Sequence, residues 1–350
     1  MGKTSASILT ALVMLVGVFA QTALAGGVDN RQNWSARYIA TGSRNAATDG
    51  VDIAAYNPAG IMFQEDGIGL GLDVHYIWKD YENKYTDVQT GAGVTRDQDE
   101  PSIIPSLFAT YKSGAWGVFG SITNNGGGGM VKYESGNAIT NTIAALAPFL
   151  PSLTPPLTNQ FIEAESMYIT YTAGASYQIN PMVSVAAGVR YMDYSKDVRA
   201  YADTSSGAPL FGAYEEEADG WGWIASLNVK PRNDLLLAFR YESEVALEID
   251  TTVEGNTTQI GRDVLKILGI TDGRKLDRDL PAVFGMGASW DASDRLNLNT
   301  SLPIILKKRR IGTGIIHPIS TTAMILPFPP PTVFWTTCAA ASAICIPISE

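Results

Sequence analysis

The chain has 350 residues, 45% of them hydrophobic, with 34 glycines, 15 tyrosines and 7 tryptophans, and a formal net charge of -10. That acidic balance argues against nucleic acid as a partner. Both cysteines, Cys338 and Cys345, fall near the C-terminus, so no disulfide framework staples the body of the chain and a small disulfide-rich extracellular module is excluded.

The first 25 residues read as a secretory signal, with Lys3, an apolar run from Ile8 to Ala20 and the small-x-small site Ala23-Leu24-Ala25. Gly2-Lys3-Thr4 resembles the end of a phosphate loop but has neither the upstream glycine nor a preceding strand. The mature chain is expected to begin near Gly26, and no later apolar run approaches the roughly 18 residues of a spanning helix.

Residues 31–63 mix small residues, scattered charges and short apolar clusters, and end in Asn57-Pro58-Ala59-Gly60. Pro58 stops any helix running through and biases Asn57 away from helical backbone. Behind this broken stretch the pattern changes to strict alternation. Ile68, Leu70, Leu72, Val74, Tyr76 and Trp78 form one face, with glycines, Asp73 and His75 between them. Period two is the signature of a strand with one face to hide.

The same pattern predicts strands over 103–111, 116–122, 167–179, 183–191, 221–229, 235–241, 282–290 and 296–302. Strand ends carry aromatics, among them Tyr177, Tyr191, Trp221, Trp223, Tyr241 and Trp290. Short turns alternate with long connections at 79–102, 124–165, 193–219 and 243–279. Short turns on one side, long loops on the other and aromatic girdles describe an outer-membrane β-barrel. A soluble sandwich would bury the same faces in a core, but its loops rarely sort so cleanly by length. In lipid a sheet must close to satisfy its backbone, so the apolar faces should meet lipid. Asp73, His75, Arg190, Lys230 and Arg240 should then point inward.

Four stretches in chain order carry a resemblance: Tyr56 to Ile61 (YNPAGI), Trp116 to Gly127 (WGVFGSITNNGG), Phe239 to Val245 (FRYESEV) and Asp279 to Ser289 (DLPAVFGMGAS). Together they resemble the outer-membrane transporters of long-chain fatty acids and hydrocarbons, the FadL/TodX type. The resemblance implies an all-β fold, a 14-stranded antiparallel transmembrane barrel, with an N-terminal plug over 26–66 and barrel strands over 67–302. It implies passive transport of hydrophobic small molecules, by a monomer in the outer membrane of a Gram-negative type envelope, surrounded by lipid and without a cofactor. Substrate would leave sideways through a gap at a kinked third strand. Asn57, Pro58 and Ala59 would sit against that gap, and Thr123, Asn124, Asn125 and Gly126 would border it.

The long connection 137–161 carries Ile143, Leu146, Phe149, Leu150, Leu153 and Leu157, which an outer collection groove for hydrophobic substrate would need. A loop packed on its neighbours is the other reading. Asp73 and His75 share a strand face but lack a nucleophile, so an enzyme is not expected. The acidic runs Asp97 to Glu100 and Glu215 to Glu217 read as solvated loops rather than metal sites, and Asp263 to Leu268 as a short loop helix. A general porin or a structural, adhesive barrel are the rival functions.

From Pro303 the alternation collapses into four clustered cations, a proline run and both cysteines. A one-nucleotide frame shift at codon 303 permits residues that complete the preceding strand and open another. The tail 303–350 is therefore expected to be out of frame, with a divergent periplasmic tail as the other reading. Nine strands alone would leave two edges bare and would not close a 14-strand barrel, so the implied function belongs to the parent design.

Overall fold

The computed structural model describes residues 33–293 and 296–306. The expected signal peptide and the tail past Leu306 lie outside the described residues.

Thirteen strands occur among the described residues: β1 (Gly67–Ile77), β2 (Tyr81–Thr86), β3 (Gly93–Gln98), β4 (Ser102–Ser113), β5 (Trp116–Tyr133), β6 (Thr158–Asn180), β7 (Val183–Asp203), β8 (Leu210–Arg232), β9 (Leu235–Glu242), β10 (Glu248–Val253), β11 (Arg274–Asp277), β12 (Ala282–Ser293) and β13 (Leu296–Leu306). Helices are short: α1 (Ala36–Thr41), α2 (Ile53–Tyr56), α3 (Ala138–Ala144) and α4 (Gln259–Ile267). Each of the nine expected strands is present. They pair in chain order, β1-β4-β5-β6-β7-β8-β9-β12-β13, as one antiparallel meander. β10 and β11 extend this sheet beside β8, and β2 with β3 makes a separate hairpin.

The apolar face is turned outward. Leu70 is 78% exposed and Trp78 80%, and Ile68, Leu72 and Val74 behave alike. Aromatic rings continue from strand to strand at one level, with Tyr191 and Trp221 centroids 5.0 Å apart and Trp223 and Tyr241 4.9 Å apart. Trp116 and Tyr177 mark a second level near the short turns. The opposite face curls around residues 33–63. That single segment touches both edge strands: Ala36 N donates to Asp73 Oδ1 on β1 (3.0 Å), and Ser43 Oγ lies 2.7 Å from Ser301 Oγ on β13. Only a strongly curved sheet allows this.

Strands run further than the apolar pattern. β6 spans 23 residues and β7 21, so only 134–157 and 204–209 remain as connections where 124–165 and 193–219 were expected. Glu215 to Glu217 therefore lie in β8 and not in a loop. The reason is visible in the register. Past Tyr191 and Trp221 the outward positions become Asp193 and Asp219, directly opposite one another, and then Ser195 and Glu217. Outside an apolar surrounding the outward face has no need to be apolar, so alternation ends while the ladder continues. The expected 79–102 loop likewise contains the polar β2–β3 hairpin. Helix α4 covers most of the loop helix expected at 263–268.

β13 also continues beyond the expected break, through Pro303 to Leu306, with Ala282 opposite Leu306 on β12. In this alternating meander β1 and β13 run in the same direction. Antiparallel closure between them therefore requires an odd number of further strands.

The β8–β9 turn is pinned by Arg232, whose Nε donates to Asp234 Oδ1 (2.9 Å). This hydrogen bond, with a second from Trp290 Nε1, brings the Asp234 carboxyl down to about 2. A depressed carboxyl pKa contributes stability above its unfolded value and loses it as pH falls toward the folded one. Asp234 is thus expected to stay ionised at pH 3, which a carboxyl-carbon NMR titration checks.

Candidate functional site

The site begins with the segment 33–63 and the way a polar knot holds it. Ser35 caps α1, its Oγ accepting from Tyr38 N, and Gly42 (φ 62) closes the helix in left-handed backbone. The guanidinium of Arg44 reaches both Asp52 oxygens, Nε to Oδ2 at 3.0 Å and Nη2 to Oδ1 at 2.6 Å. Ser35 Oγ donates to the same carboxylate at 2.7 Å. Arg44 and Asp52 are both buried, while Asp49, 2.6 Å from Arg44 Nη1, is largely exposed. Burial works against the Arg44 charge, yet the hydrogen bonds and field of Asp52 hold its pKa above the usual value. Burial likewise opposes ionisation of Asp49, but the Arg44 field outweighs it and holds that carboxyl below its usual range. Tyr56 completes the knot, its hydroxyl accepting from Trp34 N at 2.7 Å.

Asn57 ends α2, and Pro58 starts a 3-10 turn over Pro58–Phe63, the position where a missing N–H costs least. Serines on three neighbouring strands then meet the backbone of this turn. Ser176 on β6 donates to Pro58 O (2.8 Å), Ser184 on β7 donates to Ala59 O (2.8 Å), and Ser226 on β8 accepts from Ala59 N (2.9 Å). Asn57 Nδ2 donates to Ala47 O at 2.9 Å. From β9, Arg240 Nη1 donates to Ala55 O (2.8 Å) at the end of α2, and its guanidinium lies 6.0 Å from the Trp34 ring. Around these polar ties, Ile53, Tyr56 and Ile61 pack on Phe108, Phe119, Ala186 and Ile224 of the sheet.

β5 is broken where the sequence suggested. Its register against β6 slips between Asn124 and Gly126 and again between Gly126 and Gly129, one extra residue each time. Gly127 and Gly129 have φ of 86 and 65, and a Cβ on Gly127 would stand 2.1 Å from Ser166 O. On its other side β5 loses its partner. The β4–β5 ladder stops at Leu107 opposite Ile122, while β4 stays paired to β1 up to Ser102 opposite Ile77. β4 residues 102–106 and β5 residues 123–129 thus face each other without a ladder, a window in the hydrogen bonding of the sheet. Thr123, Asn124, Asn125 and Gly126 line its β5 side, tied by Thr123 Oγ1 to Asn125 Oδ1 (3.1 Å) and Gly126 N to Asn124 Oδ1 (3.0 Å).

Asn57, Pro58 and Ala59 do not dock at the level of this window; Ser176 lies seven residues along β6 from Ile169, the partner of Asn124, or about 23 Å of strand. The residue that reaches the window is Trp34, whose Nε1 donates to Asn124 O at 3.0 Å. The tripeptide is anchored lower because three serines there satisfy its backbone. Beside the window, Arg190 and Arg240 share the buried carboxylate of Glu242, at 2.9 and 3.3 Å.

Just below the window the outward face carries an apolar hollow of about 800 Å³. Its floor is a register row of small residues, Ala109, Gly120 and Ala173, and Leu107 and Ile122 form its upper edge. At the far end of the strands, Ile143, Leu153 and Leu157 are buried in a cluster with Leu210, Ile260 and Val264, and Leu146 and Leu150 pack against it. That is the packed-loop arrangement; Phe149 alone of the six stands out, 78% exposed.

Of the remaining candidates, Asp73 caps α1 and is not paired with His75, whose Nε2 is buried without a hydrogen-bond partner. Among the described residues no group of His, Cys, Asp and Glu has metal-ligand geometry. No pattern in the sequence marked the Arg44–Asp52 knot or the three serines. Trp34 had one signal, as the one tryptophan of residues 26–66.

No protein-family profile and no curated protein matches the chain. Solved structures do. A FadL homologue of Pseudomonas aeruginosa is similar at 14% identity with a TM-score of 0.50, over 81% of this chain and 70% of that one. The toluene transporter TodX of P. putida is similar in two structures, at 17% identity with a TM-score of 0.51 and at 15% with 0.53, each over 80% of this chain and 71–72% of the other. The chain has the FadL/TodX-type fold, an antiparallel meander curved around an N-terminal segment.

Proposed function

We propose that this chain forms an outer-membrane passage for hydrophobic small molecules, in which residues 33–63 act as a plug and the β4–β5 window is the sideways exit into lipid. The observation that carries the reading is the lapse in the β4–β5 ladder, in the middle of an otherwise continuous sheet whose outer face is apolar. Unsatisfied strand edges are costly in lipid, so an interruption there needs a use. A hydrophobic molecule gains nothing from an axial aqueous channel and gains transfer free energy from a side exit. The likeness of fold to outer-membrane transporters supports an outer-membrane location, and the leader expected at 1–25 would export the chain.

Proteoliposomes carrying the full chain should accelerate entry of a radiolabelled alkylbenzene and show no size-limited conductance to polar solutes in planar bilayers. Conductance graded by solute size, with no effect on the alkylbenzene, would instead establish a general porin. Phe149 is the exposed collector on this account. Phe149→Ser is expected to lower uptake several-fold with thermal stability unchanged, whereas Leu153→Ser, in the packed cluster, should lower stability; uptake and melting curves on the same preparations separate the two.

A further inference from the structure

We propose that Lys79 latches the upper rim of the β4–β5 window and that Pro105, on its β4 edge, keeps the ladder from closing it, so that these two residues set the width of the opening. The inference rests on the window described above and deepens its reading as an exit. Lys79 follows β1, is 4% exposed, and spans the break: its Nζ donates to Ser102 Oγ on β4 (2.7 Å) and to Met130 O on β5. Opposite, Gly129 lets Ser102 come close, since a Cβ there would stand 2.1 Å from Ser102 Oγ. Two strands that have parted at Leu107 and Ile122 are thereby rejoined above, through a side chain instead of a ladder. A charged donor supplies the β5 carbonyl with the bond that the lost β4 rung would have given.

Pro105 sits between these two closures, opposite Val74 on β1. It has no N–H, and within sheets proline is confined to edges and bulges because it cannot donate to a ladder. β4 is an interior strand by sheet order but an edge strand over 102–106, and the proline falls in that stretch. The window then has a fixed height, from the Leu107–Ile122 rung to the Lys79 tie, and a width that depends on one charge-assisted bond. That is a narrow aperture suited to a slender apolar molecule.

The test is a spin-label distance across the rim, between Ile103→Cys and Lys132→Cys in the full chain, with Cys338 and Cys345 replaced by Ser. Lys79→Met keeps the volume and removes the donors; it should lengthen and broaden the distance, with the open-to-latched ratio rising about tenfold. Lys79→Arg, which keeps donors, should leave it near the parent value. Pro105→Val restores an N–H and favours strand, so it should shorten the distance. General loss of fold would move both Lys79→Met and Pro105→Val the same way, and that result, or an unchanged distance in Lys79→Met, overturns the latch. If the distances respond as expected while alkylbenzene uptake does not change in any variant, the latch stands and the sideways exit falls.

Discussion

Replacing Asp52 by Ala is expected to free residues 33–63 from the curved sheet at a cost of about 3–5 kcal/mol, the range for removing one partner of a buried ion pair. The carboxylate accepts from Nε and Nη2 of Arg44 and from Ser35 Oγ, so its loss strips the buried guanidinium of its buried partner, leaves it only the largely exposed Asp49, and leaves the Ser35 hydroxyl without this acceptor. Asp49 offers the contrast. Its carboxylate is 65% exposed and pairs with the same arginine, so Asp49→Ala should cost no more than about 1 kcal/mol. Hydrogen exchange resolved to peptides checks both. In Asp52→Ala the amides of 33–63 should exchange far faster while those of β6–β8 keep their protection; equal protection throughout would mean that the knot does not hold the segment. Uptake in the same variant should become leaky to small polar solutes, because the lumen would then be open.

Straightening β5 is expected to have the largest effect on transport. Two extra residues bulge it away from β6, and deleting Asn125 together with Gly127 removes both. Because the side-chain period is two, a paired deletion keeps every residue beyond it on its original face, where a single deletion would invert the strand. With the bulges gone, β5 lies back alongside β4 past Ile122 and narrows the window, although Pro105 still supplies no rung, and uptake of an alkylbenzene should fall at least tenfold. Export, folding and outer-loop packing should remain intact, as judged by surface protease resistance. Unchanged uptake in a correctly folded double deletion would mean that molecules do not leave through this gap.

Strands within the apolar band were legible from sequence because their outward positions are apolar and the alternate positions need not be. Ile68 to Trp78 shows that rule unbroken. Past that band the outward positions turn polar, so the upper halves of β7 and β8, with Asp193 opposite Asp219, left no trace of alternation. The polar hairpin of Tyr81–Thr86 and Gly93–Gln98 was hidden for the same reason. The kink in β5 was expected from the resemblance carried by Trp116 to Gly127, and its physical cause is that Gly127 and Gly129 adopt backbone that other residues resist. Its partner was not readable. Nothing local in Asn57-Pro58-Ala59 says that Ser176, Ser184 and Ser226 will receive it, because those contacts join residues more than a hundred positions apart. Pro105 is the signal that could have been used: a proline inside an alternating run marks a strand with one side unpaired.

Photolabelling distinguishes a sideways route from an axial one. A diazirine-bearing alkylbenzene, added from outside to cells carrying the full chain and irradiated during uptake, should mark Phe149, Trp34, the window residues Ile104 and Thr123 to Gly126, and then Leu107 and Ile122 at the edge of the outward hollow. Labels that instead run down the inside to Asn57, Ser184 and Ser226, with none on Leu107 or Ile122, would show an axial passage and contradict the sideways exit.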